Sequence, residues 1–226
     1  MEEVALLARV PLFASLRPEY LSELAGKLVV RNYRRGETIF HKDDPGSTLF
    51  VIKTGQVKIA STSAAGEELI LAILTDTDFF GELSLLDGGL RSASATAMDP
   101  TQALALHRAD FLEVISSHPE RVSDILAAVA DRLRHTDLLL EDAVFLDLPA
   151  RLAKRLLELG EKRGLLTDRG LEIDLRLTQQ EIANTVGASR VAVNKLLGLF
   201  QDKGLVHIDK QRITILNPDE LRKRVY

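Results

Sequence analysis

The chain has 226 residues, of which 46% are hydrophobic and 27% are charged, with a formal net charge of −4. This composition is typical of a globular protein that buries one large core or two modest ones, and it argues against a disordered chain. The absence of cysteine excludes disulfides, thiolate zinc sites and cysteine-ligated iron–sulfur clusters, and five scattered histidines do not replace them. We therefore expect no metal.

Two features bear on where the protein acts. The longest apolar runs, such as LILAIL around Leu71, are far shorter than the roughly 20 residues of a membrane-spanning helix. The N-terminus MEEVALLARV carries glutamates where a secretory signal carries positive charge. We expect a cytoplasmic protein without a membrane partner.

The charge is distributed unevenly along the chain. Residues 1–146 carry 14 Lys and Arg against 22 Asp and Glu, a net of −8, whereas residues 147–226 carry 15 against 11, a net of +4. Only the C-terminal third therefore favours contact with phosphate. An excess of four charges is also common by chance, so this distribution permits nucleic-acid binding without demonstrating it.

A short helix is predicted over residues 18–28, and short β-type runs punctuated by glycine follow from Val29 to about Leu106. The runs are VVRNY, ETIF, TLFVIK, QVKIA and LILAIL, and the glycines are Gly36, Gly46, Gly55 and Gly66. This spacing predicts an antiparallel sandwich or jelly roll. Gly55 lies between two strand-like stretches and is predicted to form the turn of a β-hairpin.

A long helix is predicted after Pro119, because no glycine or proline occurs again before Pro149. Steps of three and four give this helix the a/d pattern of a two-stranded coiled coil, at Leu126, Val129, Leu133, Thr136, Leu140 and Ala143. The stripe could pack on its own domain, but a sheet that closes on itself leaves it unburied, which favours a homodimer. Thr136 is the polar exception, and its hydroxyl needs a partner across the dimer, a water or a ligand.

A second domain is predicted to begin near Asp147, with an amphipathic helix over residues 150–164 and a short strand within residues 165–177. Thr178 and Glu181 then have the spacing of a capping box, which starts a brief helix.

Gly187 suits the positive φ of a tight turn, and Ser189 caps a second helix that runs to about Lys203. Val193 and Leu196 are expected to face inward with Ile182. The two helices and the turn form a helix-turn-helix pattern.

The start of the second helix is expected to expose Arg190, Val191, Asn194 and Lys195, where a recognition helix meets base edges. Thr178, Gln180 and Ser189 lie at helix N-termini, which suit phosphate oxygens. Lys210 lies at the turn of a predicted hairpin, formed by residues 205–208 and 212–215, that would serve as a wing. A solvated helix face is the alternative for the basic residues, but the flanking turn and wing favour binding to double-stranded DNA.

The segment FFGELSLLDGGLRSA, residues 79–93, has residues suited to a sugar phosphate. The turn at Gly81 offers backbone N–H groups to an anion, and Arg91 and Ser92 could close on a phosphate. Glu82 suits sugar hydroxyls. The alternative is a surface salt bridge between Glu82 and Arg91, which the spacing alone does not exclude.

The sequence resembles the cyclic-AMP receptor protein (CRP/FNR) family of bacterial transcription regulators. The resemblance lies in the F-G-E-L…R-S-A cassette, in the exit of the long helix and in LTQQEIANTVGASRVAVNKLL, and it covers nearly the whole chain. It implies that Glu82 binds the ribose 2′-hydroxyl, that Arg91 and Ser92 bind the cyclic phosphate, and that Gly81 and Leu83 contribute backbone groups. Leu71 and Ala72 would line the pocket, and Thr136 and Asp137 occupy the positions of the family's adenine-contacting pair.

Two positions depart from the family pattern. Asp137 replaces a small polar residue, and its carboxylate could accept from the adenine amino group or signal a different ligand. Val191 replaces the glutamate of the recognition helix, and it cannot accept from cytosine but could contact a thymine methyl. The target DNA sequence is therefore expected to differ from that of the family's namesake.

We thus predict an α+β protein with a cyclic-nucleotide-binding β-roll (jelly roll, residues 1–117), a dimerisation helix (118–146) and a winged helix-turn-helix domain (147–226). The predicted function is a cyclic-AMP-responsive, homodimeric transcription regulator that binds a two-fold symmetric operator and RNA polymerase. The alternatives are a family member that is constitutive or responds to another ligand, and a nucleotide-binding subunit of an enzyme or channel. The second alternative leaves the helix-turn-helix unexplained, and the absence of a nucleophile triad or P-loop argues against an enzyme.

Overall fold

The computed structural model describes residues 2–14, 16–117 and 122–225. Contacts between Cα atoms divide the chain into two compact units, residues 1–61 with 71–135 and residues 62–70 with 136–226. The predicted start of the long helix, residues 118–121, lies outside the described residues.

The chain up to residue 117 folds as a β-roll flanked by helices. The helices are α1 (Glu2–Leu7), α2 (Pro18–Lys27), α3 (Glu82–Asp87) and α4 (Arg108–Ser117). The strands are β1 (Val29–Tyr33), β2 (Thr38–Phe40), β3 (Thr48–Thr54), β4 (Val57–Thr62), β5 (Glu68–Leu74), β6 (Phe79–Phe80), β7 (Ser94–Ala97) and β8 (Thr101–His107). One sheet has the order β1-β8-β3-β6 and another the order β2-β7-β4-β5, which confirms the predicted roll.

Residues 49–52 of strand β3 are all apolar because both faces of the strand are buried there. Leu49 and Val51 belong to a core cluster with the flanking helices, whereas Phe50 and Ile52 belong to a second cluster. That second cluster also contains Ile59 of β4, so it fills the space between the two sheets. Alternate side chains of one strand thus serve two cores.

The predicted hairpin at Gly55 is wrong, because β3 and β4 belong to different sheets. Strand β3 pairs with β8, and β4 pairs with β7. Gly55 does turn the chain at a φ of +108°, and a Cβ there would lie 2.5 Å from Thr101 Oγ1. The local sequence therefore indicates the turn correctly, but pairing with strands far along the chain decides where the next strand lies.

Helix α5 (Val122–Phe145) carries the predicted seam. Leu126, Leu133 and Leu140 of the seam are 62%, 62% and 64% exposed. Ile125, on another face of the helix, is buried in the core of the first unit. The seam is therefore uncovered within the single chain.

The helix breaks at residues 146–147, and α6 (Leu148–Arg163) follows. The carboxylate of Asp147 caps α6, since its Oδ1 accepts from the backbone N–H of Ala150 at 2.9 Å. After α6, the chain of the second unit continues with β9 (Gly164–Thr167), β10 (Gly170–Ile173), α7 (Gln179–Thr185), α8 (Arg190–Asp202), β11 (Val206–Asp209), β12 (Arg212–Ile215) and α9 (Pro218–Arg222).

Strands β9 to β12 form a sheet of order β11-β12-β10-β9. The short strand predicted within residues 165–177 is present as β10, but the prediction missed β9, which pairs with β10 as a hairpin. Gly170 permits this hairpin at a φ of +137°. Leu175 and Leu177 are buried although they follow the strand, so their alternation reflects burial of a loop.

Within the described ranges, no helix is long and apolar enough to cross a membrane. The same residues contain no group of three or more His, Cys, Asp or Glu that could hold a metal ion.

Candidate functional site

Arg91 is the centre of the cassette that the sequence singled out. Its Nη1 donates to the carbonyl of Gly81 at 2.9 Å and to Ser84 Oγ at 2.7 Å, and its Nη2 donates to the carbonyl of Thr48 at 2.8 Å. Its guanidinium also lies 4.1 Å from the centre of the Phe40 ring. Arg91 thus joins the start of β3 to the turn that begins α3.

The charge of Arg91 is buried without a carboxylate partner among the described residues. Only 5% of the residue is exposed, and its Nε is buried with no hydrogen-bond partner in this part of the chain. Burial lowers the pKa of Arg91, and the more distant charges of Glu82 and Asp44 oppose that shift. A buried cation held by neutral acceptors is suited to bind an anion, which would supply the missing countercharge.

Two glycines make room for this arginine. A Cβ on Gly46 would lie 2.2 Å from Ser84 Oγ and 2.8 Å from Arg91 Nε. Gly81 has a φ of +81°, and a Cβ there would lie 2.6 Å from Arg91 Nη1. Both positions therefore require glycine, for close approach at Gly46 and for conformation as well at Gly81.

The carboxylate of Glu82 is paired with Arg132 of α5. Arg132 Nη1 donates to Glu82 Oε1 at 2.7 Å, and the side chain of Glu82 is only 5% exposed. The alternative of a surface salt bridge between Glu82 and Arg91 is therefore wrong, because both residues are buried and Glu82 has another partner.

Two residues that contact the cassette arginine or glutamate were not predicted from the sequence, Ser84 and Arg132. Arg132 lies one helical turn before Thr136, so the interest in Thr136 could have drawn attention to it. Ser84 stands two residues after Glu82 in the quoted motif, and its hydroxyl accepts from Arg91 while only 2% of the residue is exposed.

The other predicted ligand residues differ in how far they are buried. Leu71 and Ala72 are partly buried and pack against the core between the sheets. Ser92 and Leu83 are exposed beside the buried Arg91 and Glu82. Thr136 and Asp137 are exposed on the part of α5 that belongs to the second unit.

In the second unit, the helix-turn-helix is fixed by its caps. Thr178 Oγ1 accepts from the N–H of Glu181 at 3.1 Å, and Glu181 Oε2 accepts from the N–H of Thr178 at 2.7 Å, which confirms the capping box. Gly187 turns the chain at a φ of +62°, and Ser189 Oγ accepts from the N–H of Ala192 at 3.2 Å. The side-chain cap of Ser189 therefore marks where α8 begins.

Helix α8 exposes most of the predicted reading residues. Arg190 and Lys195 are exposed, as is Gln180 at the start of α7, and Val191 is 80% exposed. The expectation that Asn194 is exposed is wrong, because Asn194 is half-buried and its Oδ1 is buried without a partner among the described residues.

The buried stripe of α8 explains this difference. The buried residues of α8 are Val193, Leu197 and Phe200, whereas Leu196, predicted to face inward, is only partly buried. The stripe therefore runs through positions 193 and 197, and Asn194 lies at its edge. A step of one residue rotates a side chain by about 100° around a helix.

The wing is formed by β11 and β12, paired from Val206 with Ile215 to Asp209 with Arg212. Lys210 lies at the turn with a φ of +56° and is exposed. This confirms the predicted hairpin and leaves its basic tip accessible.

A β-roll with a buried arginine cassette, followed by a winged helix-turn-helix, defines a ligand-sensing, DNA-binding transcription regulator. Residues 30–118 match the model of the cyclic nucleotide-binding domain, and residues 150–224 match the Crp-like helix-turn-helix domain.

Relatives extend the similarity over the whole chain. The chain is 36% identical to a CRP-like cAMP-activated global transcriptional regulator of Mycobacterium tuberculosis (strain CDC 1551 / Oshkosh), over 99% of both chains. It is 33% identical to a global nitrogen regulator of Synechococcus elongatus, over 87% of this chain and 90% of that one. The solved structure of FixK2 from Bradyrhizobium japonicum has a TM-score of 0.78 at 20% identity, covering 87% of this chain and 96% of that chain.

The chain therefore belongs to the CRP/FNR family, whose members are DNA-binding transcription regulators and not enzymes.

Proposed function

We propose that the protein is a cyclic-AMP-responsive transcription regulator that acts in the cytoplasm as a homodimer on a two-fold symmetric operator. The observation that carries the sensor part of this proposal is the buried, carboxylate-free guanidinium of Arg91 within a cyclic nucleotide-binding domain. A cyclic phosphate supplies the negative charge that this environment lacks. The regulator of Mycobacterium tuberculosis, at 36% identity, is described as cAMP-activated, which supports the choice of nucleotide.

The residues of the cassette fit the parts of a cyclic nucleotide. Arg91 and Ser92 bind the cyclic phosphate, with backbone groups of Gly81 and Leu83. Glu82 accepts from the ribose 2′-hydroxyl, and Leu71 and Ala72 line the pocket. Arg132 then has to share Glu82 with the ribose or release it, so ligand binding changes an ion pair that holds α5.

The base is assigned to Thr136 and Asp137 of α5. A carboxylate accepts hydrogen bonds, and adenine offers its amino group as a donor. Guanine also offers donors, at its ring N–H and its amino group. Asp137 is consequently the residue that supports a second candidate function, a regulator of the same family that responds to another ligand, and the global nitrogen regulator at 33% identity is a relative whose name specifies no cyclic AMP.

The homodimer is supported by the exposed seam of α5. Leu126, Leu133 and Leu140 repeat at seven residues and are all more than half exposed, which is unfavourable for an isolated chain. Val144 and Phe145 extend the apolar surface toward the C-terminal end of the helix. A second copy of the same helix has the matching pattern.

Substitution of one leucine tests the seam. Leu133→Glu places a charge at each copy's contact and removes about 2 kcal/mol of apolar burial per chain, so the dimer dissociation constant should rise at least a thousandfold. Leu138→Glu is the matched control, because Leu138 is 48% exposed and lies outside the a/d pattern. Sedimentation equilibrium should show a monomer for the first variant only, and a dimer for both would contradict the seam.

The DNA-binding part of the proposal rests on α7, α8 and the wing. Arg190 contacts a guanine, Val191 a thymine methyl, and Asn194 and Lys195 a base or a phosphate. Phosphate contacts come from Thr178, Gln180, Ser189 and Lys210. In the dimer, two recognition helices about 34 Å apart bind successive major grooves.

Ligand binding is coupled to DNA binding by a population shift. The ligand changes the contacts of Arg132, and α5 continues from there to its break at residues 146–147. The segment 145–149 then acts as the hinge of the DNA-binding domain, in one of two states that the ligand binds with different affinity. RNA polymerase is the expected partner of the DNA-bound dimer.

Calorimetry on the full chain tests the ligand. Cyclic AMP should release or absorb heat on binding and should tighten binding to operator DNA, whereas cyclic GMP should bind more weakly. Asp137→Asn, which replaces one acceptor oxygen with a donor, should weaken binding of both nucleotides, and Glu141→Gln, which removes an exposed carboxylate one turn further along α5, should weaken neither. If neither nucleotide binds and operator DNA binds equally well without them, the second candidate function replaces the first.

A further inference from the structure

The short helix α3 is held at both ends by arginine side chains. At its start, Arg91 binds the carbonyl of Gly81 and the hydroxyl of Ser84. At its end, Arg108 Nε donates to the carbonyl of Leu85 at 2.8 Å, and its Nη2 lies 3.5 Å from the carbonyl of Leu86. The last carbonyls of a helix have no partner within the helix, and a cation there is favourable.

The two arginines donate hydrogen bonds to carbonyl groups of adjacent residues. Arg91 Nη2 donates to the carbonyl of Thr48, and the backbone N–H of Arg108 donates to the carbonyl of Ser47 at 2.8 Å. Two consecutive residues, Ser47 just before β3 and Thr48 at its start, therefore anchor the two arginines, which together form a clamp on α3.

Helix α3 has only six residues, from Glu82 to Asp87. A helix of this length does not persist without tertiary contacts. Its first residues carry the carboxylate and the backbone groups assigned to the nucleotide, so any displacement of α3 moves the binding groups themselves.

We infer that Arg108 is a positioning residue of the nucleotide site. Arg108 holds α3 in place from its C-terminal end, which carries no ligand-binding residue. This inference rests on the proposed function. When Arg91 donates hydrogen bonds to a phosphate, its bonds to Gly81 and Ser84 weaken. The bonds of Arg108 to the other end of α3 are unaffected by that change, so they keep Glu82 in place while the ligand binds.

The test compares three variants of the full chain. Arg108→Met removes both guanidinium bonds and keeps much of the apolar stem, whereas Arg108→Lys keeps a cation that reaches one carbonyl. Lys27→Met is the matched control, because Lys27 is a cation in the last turn of α2, in the same unit, and is bonded to Glu113.

Two measurements are made on each variant, hydrogen exchange without ligand and the dissociation constant for cyclic AMP. Arg108→Met should speed exchange of the α3 amides and weaken nucleotide binding, each by about tenfold, which corresponds to loss of the 2.8 Å charge-assisted bond to Leu85, the shorter of the two. Arg108→Lys should recover part of both effects. Lys27→Met should change neither α3 exchange nor nucleotide affinity.

The possible results separate the clamp from the proposed function. Unchanged α3 exchange in Arg108→Met would overturn the inference, as would faster exchange spread equally over α2, α3 and α4. Faster exchange confined to α3, with unchanged nucleotide affinity, would also overturn it. If the wild-type protein binds no cyclic nucleotide, the proposed function fails, whereas exchange confined to α3 and recovered by lysine would still support the clamp.

Discussion

The nucleotide cassette and the recognition helix use arginine in opposite ways. Arg91 is buried, and its hydrogen bonds hold together the start of β3 and the turn into α3. Arg190 is exposed at the first position of α8, whose start is fixed by Ser189 and the backbone. The cassette therefore combines binding with folding, whereas the recognition helix assigns these tasks to different residues.

This difference determines how freely each region can change. A substitution in the cassette alters the fold as well as the ligand site, because the binding groups also bond one another. A substitution on the exposed face of α8 alters only the surface that faces DNA. Val191, where the family pattern has glutamate, is such a change, and at 80% exposure it makes no demand on the core.

The largest effect is expected for Arg91→Ala. The phosphate loses its charged donors, so the dissociation constant for cyclic AMP should rise at least about a hundredfold, and the buried acceptors of the cassette lose their donor, at about 1–3 kcal/mol of unfolding free energy. We expect the chain to remain folded with no response to ligand. Calorimetry and denaturant unfolding measure the two effects.

Arg134→Ala is the control for Arg91→Ala, since Arg134 is an exposed arginine of α5 that pairs with Asp131 on the same helix. It should change neither quantity. If Arg91→Ala loses stability but keeps its nucleotide affinity, Arg91 is a structural residue only. The cassette arginine would then not combine binding with folding, and the comparison with the recognition helix would fail.

A smaller effect, confined to DNA binding, is expected for Arg190→Ala. Loss of a guanine contact should weaken operator binding by about 1–3 kcal/mol and relax specificity at one base pair. The unfolding free energy should change by less than about 0.5 kcal/mol, because the side chain is exposed. Binding to a set of operators that differ at single positions measures the specificity.

Lys195→Ala gives the comparison on the same helix, as a basic residue that is equally open to solvent. If it contacts phosphate, its loss should weaken all operators alike and reduce the salt dependence of binding. A uniform loss for Arg190→Ala would assign Arg190 to phosphate as well. A loss of stability in Arg190→Ala would show that the recognition helix does not separate binding from folding.

The sequence alone predicted the features that depend on residues near one another in the chain. The capping box of Thr178 and Glu181 and the seam of α5 follow from spacings of three or four residues, and the turn follows from the single glycine at position 187. The structure has the caps and the turn as expected. The cassette was recognised because its motif is continuous in the chain.

The features that were missed depend on distant residues or on the phase of a helix. The pairing of Glu82 with Arg132 joins residues 50 positions apart. The wrong prediction of a hairpin at Gly55 has the same cause. Strand β3 pairs with β8 and strand β4 pairs with β7, so distant strands place β3 and β4 in different sheets. The burial of Asn194 depends on which of two adjacent stripes of α8 packs inward, and Leu196 and Leu197 are equally apolar in the sequence.

Gly46 shows how far a constraint on a site can lie from the site's own motif. It stands well upstream of the cassette letters, in a loop with no chemical group to offer, yet a single methyl group there would occupy the space of the Ser84 hydroxyl and the Arg91 Nε. A redesign that enlarged the pocket for a bulkier nucleotide would therefore have to leave this position untouched. Among homologues, an altered residue at this position would indicate a rebuilt pocket even where every cassette letter is retained.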